Sequence, residues 1–375
     1  MGWTRRSFLS GAASAVAALS FPLRAAAAEW ARYGSATIID GLGFPGGWNT
    51  GPAGDSLTAG QLRDVADSGL SCTHLTLGEV GSMQPDAAYA AIMDSVAFWE
   101  REIAAHPDVL SPVRSAADIE SSRAAGRTGL IFGLQDGVAF ETDPDRLAVL
   151  QHFGIRVVQP TYNRRNLLGD GCMEPADAGL SRTGSACVEQ IGELGMLLDL
   201  SHCGRRTTAD ALALATRPPA FTHTGCAAVT AHPRHRTDEE IRRVADLGGV
   251  TGIYVMPYLS GGRQPTAVDV IRHLEHALDV AGEDHVAVGT DGGISPTELN
   301  PEFVAGFRKN IEDRRAAGIA APGETETGYL FASDLNTPRR FETLGGMLLD
   351  RGHSETRVAK ILGGNLQRVF AEAWA

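Results

Sequence analysis

The chain has 375 residues, room for one barrel-sized domain and a leader. Hydrophobic residues make up 43% and charged residues 21%, so a large core can be buried. The formal net charge of -12 argues against a nucleic-acid partner, which needs a basic face, and fits a small-molecule substrate.

In chain order, the first thirty residues stand apart. Arg5 and Arg6 precede an apolar run from Phe8 to Leu23, followed by Arg24 and the small residues Ala25 to Ala28. This is the layout of a bacterial twin-arginine export signal with its cleavage site. Ser10, Gly11, Ser14, Ser20 and Pro22 dilute the run, so cleavage is expected rather than a retained membrane span. Residues 1–28 are read as the signal peptide and 29–375 as one mature domain, periplasmic or secreted. Cys72, Cys172, Cys187, Cys203 and Cys226 are odd in number and widely spaced, with no CxxC zinc pattern. One disulfide and free buried thiols both stay open.

Eight short β-rich runs follow, each succeeded by a segment of helical character. They are Ala36–Asp40, Cys72–Leu77, Thr128–Gln135, Ile155–Tyr162, Met196–His202, Pro219–His223, Gly249–Val255 and His285–Asp291. Helices are predicted over Thr58–Gly69, Thr183–Gly195, Thr207–Thr216, Thr237–Leu247 and Ala267–Ala281, several opening on Thr and closing on Gly. The alternation predicts an α/β fold, a (β/α)8 TIM barrel of the metallo-dependent hydrolase type. An open doubly wound sheet would want a glycine fingerprint after the first strand. Gly41 to Gly46 instead carries Pro45 where a helix should begin. The segment Ala305–Thr337 reads as an elaboration near the mouth that covers the site.

A parallel barrel gathers its strand C-termini at one mouth. There the third strand ends in Gln135, the fourth in Tyr162, the fifth in His202, the sixth in His223 and the eighth in Asp291. A lone histidine at a strand end is more often a hydrogen-bonded core residue than a ligand. Two on neighbouring strands make half of a tetrahedral zinc shell, and an aspartate beside them can take a proton from an acidified water. His232 and His235, flanking Pro233-Arg234, read as solvated or substrate-side groups. His74 reads as core, and His152, His273, His276 and His353 as helix-surface residues.

These residues resemble a known family. Thr161-Tyr162-Asn163, Asn166 to Cys172, Gly179 to Ser181, Leu198 to His202, Phe221 to His223, His232 to Arg234, Thr237-Asp238 and Gly248 to Val250 look like the bacterial branch of the membrane (renal-type) dipeptidases. That group is peptidase family M19 of the amidohydrolase superfamily. Val288 to Asp291 and Gly363 to Arg368 extend the likeness over most of the mature chain. The resemblance implies a (β/α)8 barrel, two bridged zinc ions and hydrolysis of dipeptides. By position it implies that His202 and His223 are the histidine ligands of one zinc, and that Asp291 is the strand-eight aspartate that handles the proton. Arg234 matches the arginine that steadies substrate and oxyanion, and Tyr162 stands where many relatives have a substrate-contacting histidine. Relatives often pair, so a homodimer is open.

The departures are specific. The family's first strand normally ends in a His-x-Asp pair; here Leu42 and Phe44 stand in those places. The bridging glutamate is replaced by Gln135, or shifted to Asp136. Two dications repel unless anionic ligands compensate. The expectation is therefore one zinc ion on His202 and His223, completed by Gln135 or water, with Asp291 as a general base. Two other readings stay open: a non-catalytic barrel that binds a small ligand through Arg234, and a hydrolase of lactones or other non-peptide substrates.

Overall fold

The computed structural model describes residues 30–47, 50–52, 54–81 and 84–375; the predicted export segment lies outside them. Eight parallel strands follow in chain order: β1 Ile39–Asp40, β2 Cys72–Thr76, β3 Thr128–Leu134, β4 Ile155–Val158, β5 Leu197–Leu198, β6 Ala220–Thr224, β7 Val250–Ile253 and β8 Val286–Val288. Ladders join β1 through β5 and, separately, β6 through β8. A bridge between Asp199 and Ala220 links the two groups. Between β8 and β1 the Gly41 N–H donates to Val288 O at 2.9 Å and the Asp291 N–H to Leu42 O at 2.7 Å, which closes the ring. Short strands Gly43–Phe44 and Gly292–Gly293 pair just beyond that seam. Neither of these was anticipated, nor was the strand Leu110–Pro112, which pairs with the base of β3.

The predicted runs overshoot the ladders at the mouth. Met196–His202 yields only Leu197–Leu198 because the chain beyond it bonds to a side chain instead, with the Ser201 N–H donating to Asp199 Oδ1 at 3.0 Å. The helices fall within about two residues of expectation, and Ala267–Ala281 matches it. Thr58 and Thr237 cap their helices with reciprocal Gln61 and Glu240 contacts. Ser181, rather than Thr183, caps Arg182–Glu193.

Side-chain alternation builds the barrel interior in layers. The lowest is apolar, one residue per strand: Ile39, Cys72, Ile131, Val157, Leu197, Ala220, Val250 and Ala287. It rests on Leu366, Val369 and Phe370 of the C-terminal helix Asn365–Ala373. That helix is pinned by Asn365 Nδ2, which donates to Glu283 O and Val286 O at 2.8 Å each. The glycine-asparagine motif near the C-terminus thus serves the barrel floor. Two residues further up each strand stand Gly41, His74, Gly133, Gln159, Asp199, Thr222, Gly252 and Gly289; the four side chains among them are fully buried and polar. The glycines make room for these groups. A methyl on Gly252 would lie 2.0 Å from Thr222 O, one on Gly289 2.1 Å from the same oxygen, and one on Gly133 2.0 Å from His74 Nε2.

Three histidines depart from expectation. His273 is fully buried, because helix Ala267–Ala281 turns it inward beside Val270, Leu274 and Ala277. Its Nδ1 accepts from Cys226 N at 2.9 Å and Nε2 donates to Leu259 O at 3.2 Å. His235 is also buried, with Nδ1 2.6 Å from Thr230 O. His74 is core, as read, and His353 sits between helices rather than on one. All five cysteines are free thiols. Among the described residues no helix is long and apolar enough to cross a membrane.

Gly252→Ala and Gly289→Ala should each lower stability by about 1–3 kcal/mol or more, since backbone oxygen cannot yield as a side chain would. Gly306→Ala, in helix Pro301–Ala316 with open space around it, should raise stability by roughly 0.5–1 kcal/mol. Urea unfolding monitored by circular dichroism reads all three.

Candidate active site

The mouth is organised around a buried carboxylate. Asp199 Oδ1 accepts from Ser201 N at 3.0 Å, Ser201 Oγ at 2.6 Å and Thr222 N at 3.1 Å. Its Oδ2 accepts from Thr222 Oγ1 at 2.6 Å and Gln159 Nε2 at 2.9 Å. Gln159 Oε1 in turn accepts from the His202 N–H at 3.1 Å, and Ser201 Oγ from the His223 N–H at 3.2 Å. One carboxylate therefore fixes the backbone of both histidines. Neither Asp199 nor Gln159 was singled out from sequence, although period-2 alternation through Leu198–His202 points Asp199 inward.

The same network sets the tautomers. Asn163 Nδ2 donates to the backbone oxygen of Ile319 at 3.0 Å, so its Oδ1 is the atom 2.7 Å from His202 Nδ1, which must carry a proton. Thr222 Oγ1 gives its single proton to Asp199, so it accepts from His223 Nδ1 at 2.8 Å. Both rings are thus protonated at Nδ1, and their Nε2 lone pairs meet 3.0 Å apart. Burial, with the Arg234 guanidinium next, holds both imidazoles neutral, well below the ordinary histidine range. Two lone pairs facing one point repel unless a cation lies between or beside them.

Arg234 supplies part of that charge. It is buried; Nη2 donates to His202 Nε2 at 3.1 Å and to His223 O at 3.3 Å, and Nη1 donates to Ser201 O. Tyr162 stacks on the His202 ring with centroids 4.1 Å apart. Tyr162, Gln135 and Asp291 line a cleft of about 1190 Å³, and the histidines and Arg234 stand next to Tyr162 outside that lining. The predicted residues thus fall in two adjoining sets, one facing the cleft and one behind the phenol.

Asp291 is, among the described residues, the only non-glycine with positive φ, at 57°. Such strain persists where surrounding contacts over-determine it, often at functional sites. Here the constraint is visible: its N–H donates to Leu42 O, and the preceding Thr290 binds Asp40 through N at 2.7 Å and Oγ1 at 2.6 Å. Burial raises the Asp291 carboxyl to about 7, against the lowering pull of Arg234 and Arg314. Asp40 is likewise raised to about 7 by burial. Asp136 is used elsewhere: it accepts from Gly81 N at 3.2 Å, Val138 N at 3.3 Å and Asn166 Nδ2 at 3.1 Å, so it holds loops together.

The covering segment is real. Helix Pro301–Ala316 lines the cleft through Phe303, Phe307, Ile311 and Arg314. Arg314 forks onto Glu324 through Nε and Nη2 at 2.8 Å each, and Tyr258 donates to the same carboxylate at 2.8 Å. Arg314 was not distinguishable beforehand from Arg308, Lys309 and Arg315 around it.

The donors test a metal directly. Converging neutral imidazoles, each with its Nδ1 proton engaged, supply two nitrogen donors that fit one ion, which would take over the His202 Nε2 lone pair that now accepts from Arg234. Leu42 and Phe44 offer no donor for a second. Among the described residues no group of three or more His, Cys, Asp or Glu could hold a metal.

Barrel, mouth histidines and strand-eight aspartate define the amidohydrolase class of (β/α)8 hydrolases. The chain belongs within it to the membrane dipeptidases, peptidase family M19, whose family model matches residues 65–303. It is 28% identical over 241 residues to the dipeptidase verJ of Clonostachys rogersoniana, covering 63% of this chain and 62% of that one, under two thirds of its length. Among solved structures it resembles an amidohydrolase from Pseudomonas aeruginosa at TM-score 0.78 and 28% identity, covering 91% of this chain and 98% of that one. A metallopeptidase from Rhodobacter sphaeroides, liganded with a phosphinate mimic of the dipeptide L-Ala-D-Ala, shares the fold at TM-score 0.74 and 19% identity, covering 90% and 99%.

The tautomer assignment is testable. Long-range nitrogen–proton NMR of the metal-free protein should show His202 and His223 protonated at Nδ1 and still neutral at pH 5.5. In Asp199→Asn the His223 assignment should be lost.

Proposed function

We propose that this chain is an exported, metal-dependent dipeptidase-like hydrolase that cleaves dipeptides or related small amides with a single zinc ion on His202 and His223. The observation that carries it is the pair of neutral imidazoles whose Nε2 lone pairs converge at 3.0 Å beside a cleft holding Asp291. Zinc, when bound, would polarise the amide carbonyl and acidify water. Asp291, with a carboxyl near 7, takes the proton of the attacking water and delivers it to the leaving amine. Tyr162 offers a phenolic donor to substrate on the cleft side of His202. Arg234, which donates to His202 Nε2 at 3.1 Å, would bring positive charge beside the carbonyl oxygen as negative charge develops there. Gln135, which lines the cleft, would serve as a neutral partner for the ion or its water. The arginine pair Arg5-Arg6 supports export by the twin-arginine route, hence work in the periplasm or outside the cell.

Retention of Asp291 in a strained backbone conformation favours catalysis over simple ligand binding, because idle strain would relax by substitution. The test is turnover of a dipeptide panel by the mature chain with zinc supplied, together with metal analysis. One ion per chain is expected; two tightly bound ions would overturn the single-ion site. Since Asp291 must be ionised to act as base, kcat/KM should climb as pH rises through about 7 and level off above it. Asp291→Asn should lose about 10²–10⁴-fold and His202→Ala at least as much, with the fold intact. Ligand-induced thermal stabilisation without turnover would point to a binding protein, and turnover of lactones alone to an esterase-like role.

A further inference from the structure

Where Leu42 and Phe44 stand, the cleft is walled by carbon. Half-buried Phe44 is the part of this wall open to the cleft, and nearly buried Leu42, Leu75 and Trp99 back it. Trp99 is held edge-on against Phe98, with centroids 5.1 Å apart, so the surface is fixed rather than adaptable. The covering helix lines the same cleft with Phe303 and Phe307 at i,i+4 spacing, their rings 5.9 Å apart, and Phe307 lies 5.3 Å from the Tyr329 ring. Asn300 starts that helix by accepting from Phe303 N at 2.9 Å, which fixes where the aromatic face begins. Of the carboxylates that also line the cleft, Glu79, Glu298 and Glu302 are exposed, where water screens them, Asp64 is half-buried, Glu324 is held by Arg314, and Asp291 is the proposed base. The volume of about 1190 Å³ exceeds the roughly 300–1,000 Å³ usual for drug-sized ligands. A dipeptide of small residues would leave most of that space wet.

We propose, resting on the hydrolase reading above, that this site selects dipeptides or amides carrying a bulky apolar or aromatic residue, seated between the Leu42–Phe44–Trp99 wall and the Phe303–Phe307 face. The physical reason is that fixed apolar walls gain by excluding water only if the ligand supplies matching apolar surface. A single methylene in such a pocket is worth about 10–200-fold in discrimination.

The test uses the mature chain loaded with zinc and two non-hydrolysable phosphinate dipeptide mimics, one alanyl and one with benzyl side chains. Calorimetric titration should show the benzyl mimic binding at least about 10-fold more tightly, and KM for phenylalanyl dipeptides should be lower than for alanyl ones by a similar factor. Leu42→Ala should shrink that affinity ratio several-fold, and Phe303→Ala, on the more exposed wall, should do the same should Leu42→Ala fold poorly. Equal affinities for the two mimics, or a ratio unmoved in both variants, would overturn the inference and leave the hydrolase reading standing. Binding of neither mimic, with no turnover of any dipeptide, would overturn the hydrolase reading and the inference with it.

Discussion

Asp199 is the contact on which the mouth depends. Its five hydrogen bonds come from Gln159 just past β4, from β6 and from the turn after β5, three parts of the ring that share few ladder bonds there. A buried carboxylate without partners would be expensive. With five donors it becomes the rigid node that allows β5 to be only two residues long. The same donors are the groups that orient His202 and His223, so barrel closure and imidazole orientation are one event. Chemistry at this mouth is inseparable from the stability of its weakest seam.

The glycine-rich middle layer follows from that node. A polar side chain in a barrel core needs volume for itself and its partners, and the neighbouring strands give it up. Gly41, Gly252 and Gly289 allow close approach to the Thr222 carbonyl, and Gly133 makes way for His74. Beneath, the apolar layer on Leu366 and Phe370 carries the burial that offsets a polar interior. The barrel is thus divided by height: carbon at the base for stability, hydrogen bonds in the middle for orientation, and ionisable groups at the top.

Fold and site were unequally legible in the sequence. Each of the eight strands is an apolar run bounded by glycine or turn residues, and such runs announce themselves locally. Their ends do not, because β5 and β1 stop where side chains such as Asp199 and Asp40 compete for backbone N–H groups. His202, His223 and Asp291 could be picked out because strand ends converge in any parallel barrel. Which way a helix faces is a tertiary fact, so His273 passed for a surface residue although its helix turns it inward. Arg314 was illegible for a related reason: one of several basic residues on a helix, it differs only in having Glu324 and Tyr258 opposite it. Neither partner is near in sequence.

The altered first-strand positions make sense together with the histidine pair. A binuclear centre needs anions to hold two dications a few ångströms apart. Phe44 and Gln135 remove that negative charge, and Leu42 a nitrogen donor, without leaving a hole, since Leu42 is packed and Phe44 lies against Gly293. What remains is asymmetric, with neutral nitrogen donors backed by Arg234 on one side and apolar surface on the other. Asp291 sits at the boundary, strained, raised toward neutrality by burial and drawn down by Arg234 and Arg314. In a site with fewer metal charges, a carboxylate free of ligand duty can carry protons at the pH where amides must be cleaved. On the proposed single-ion reading, loss of the first-strand ligands would change the role of the eighth-strand aspartate rather than make it redundant.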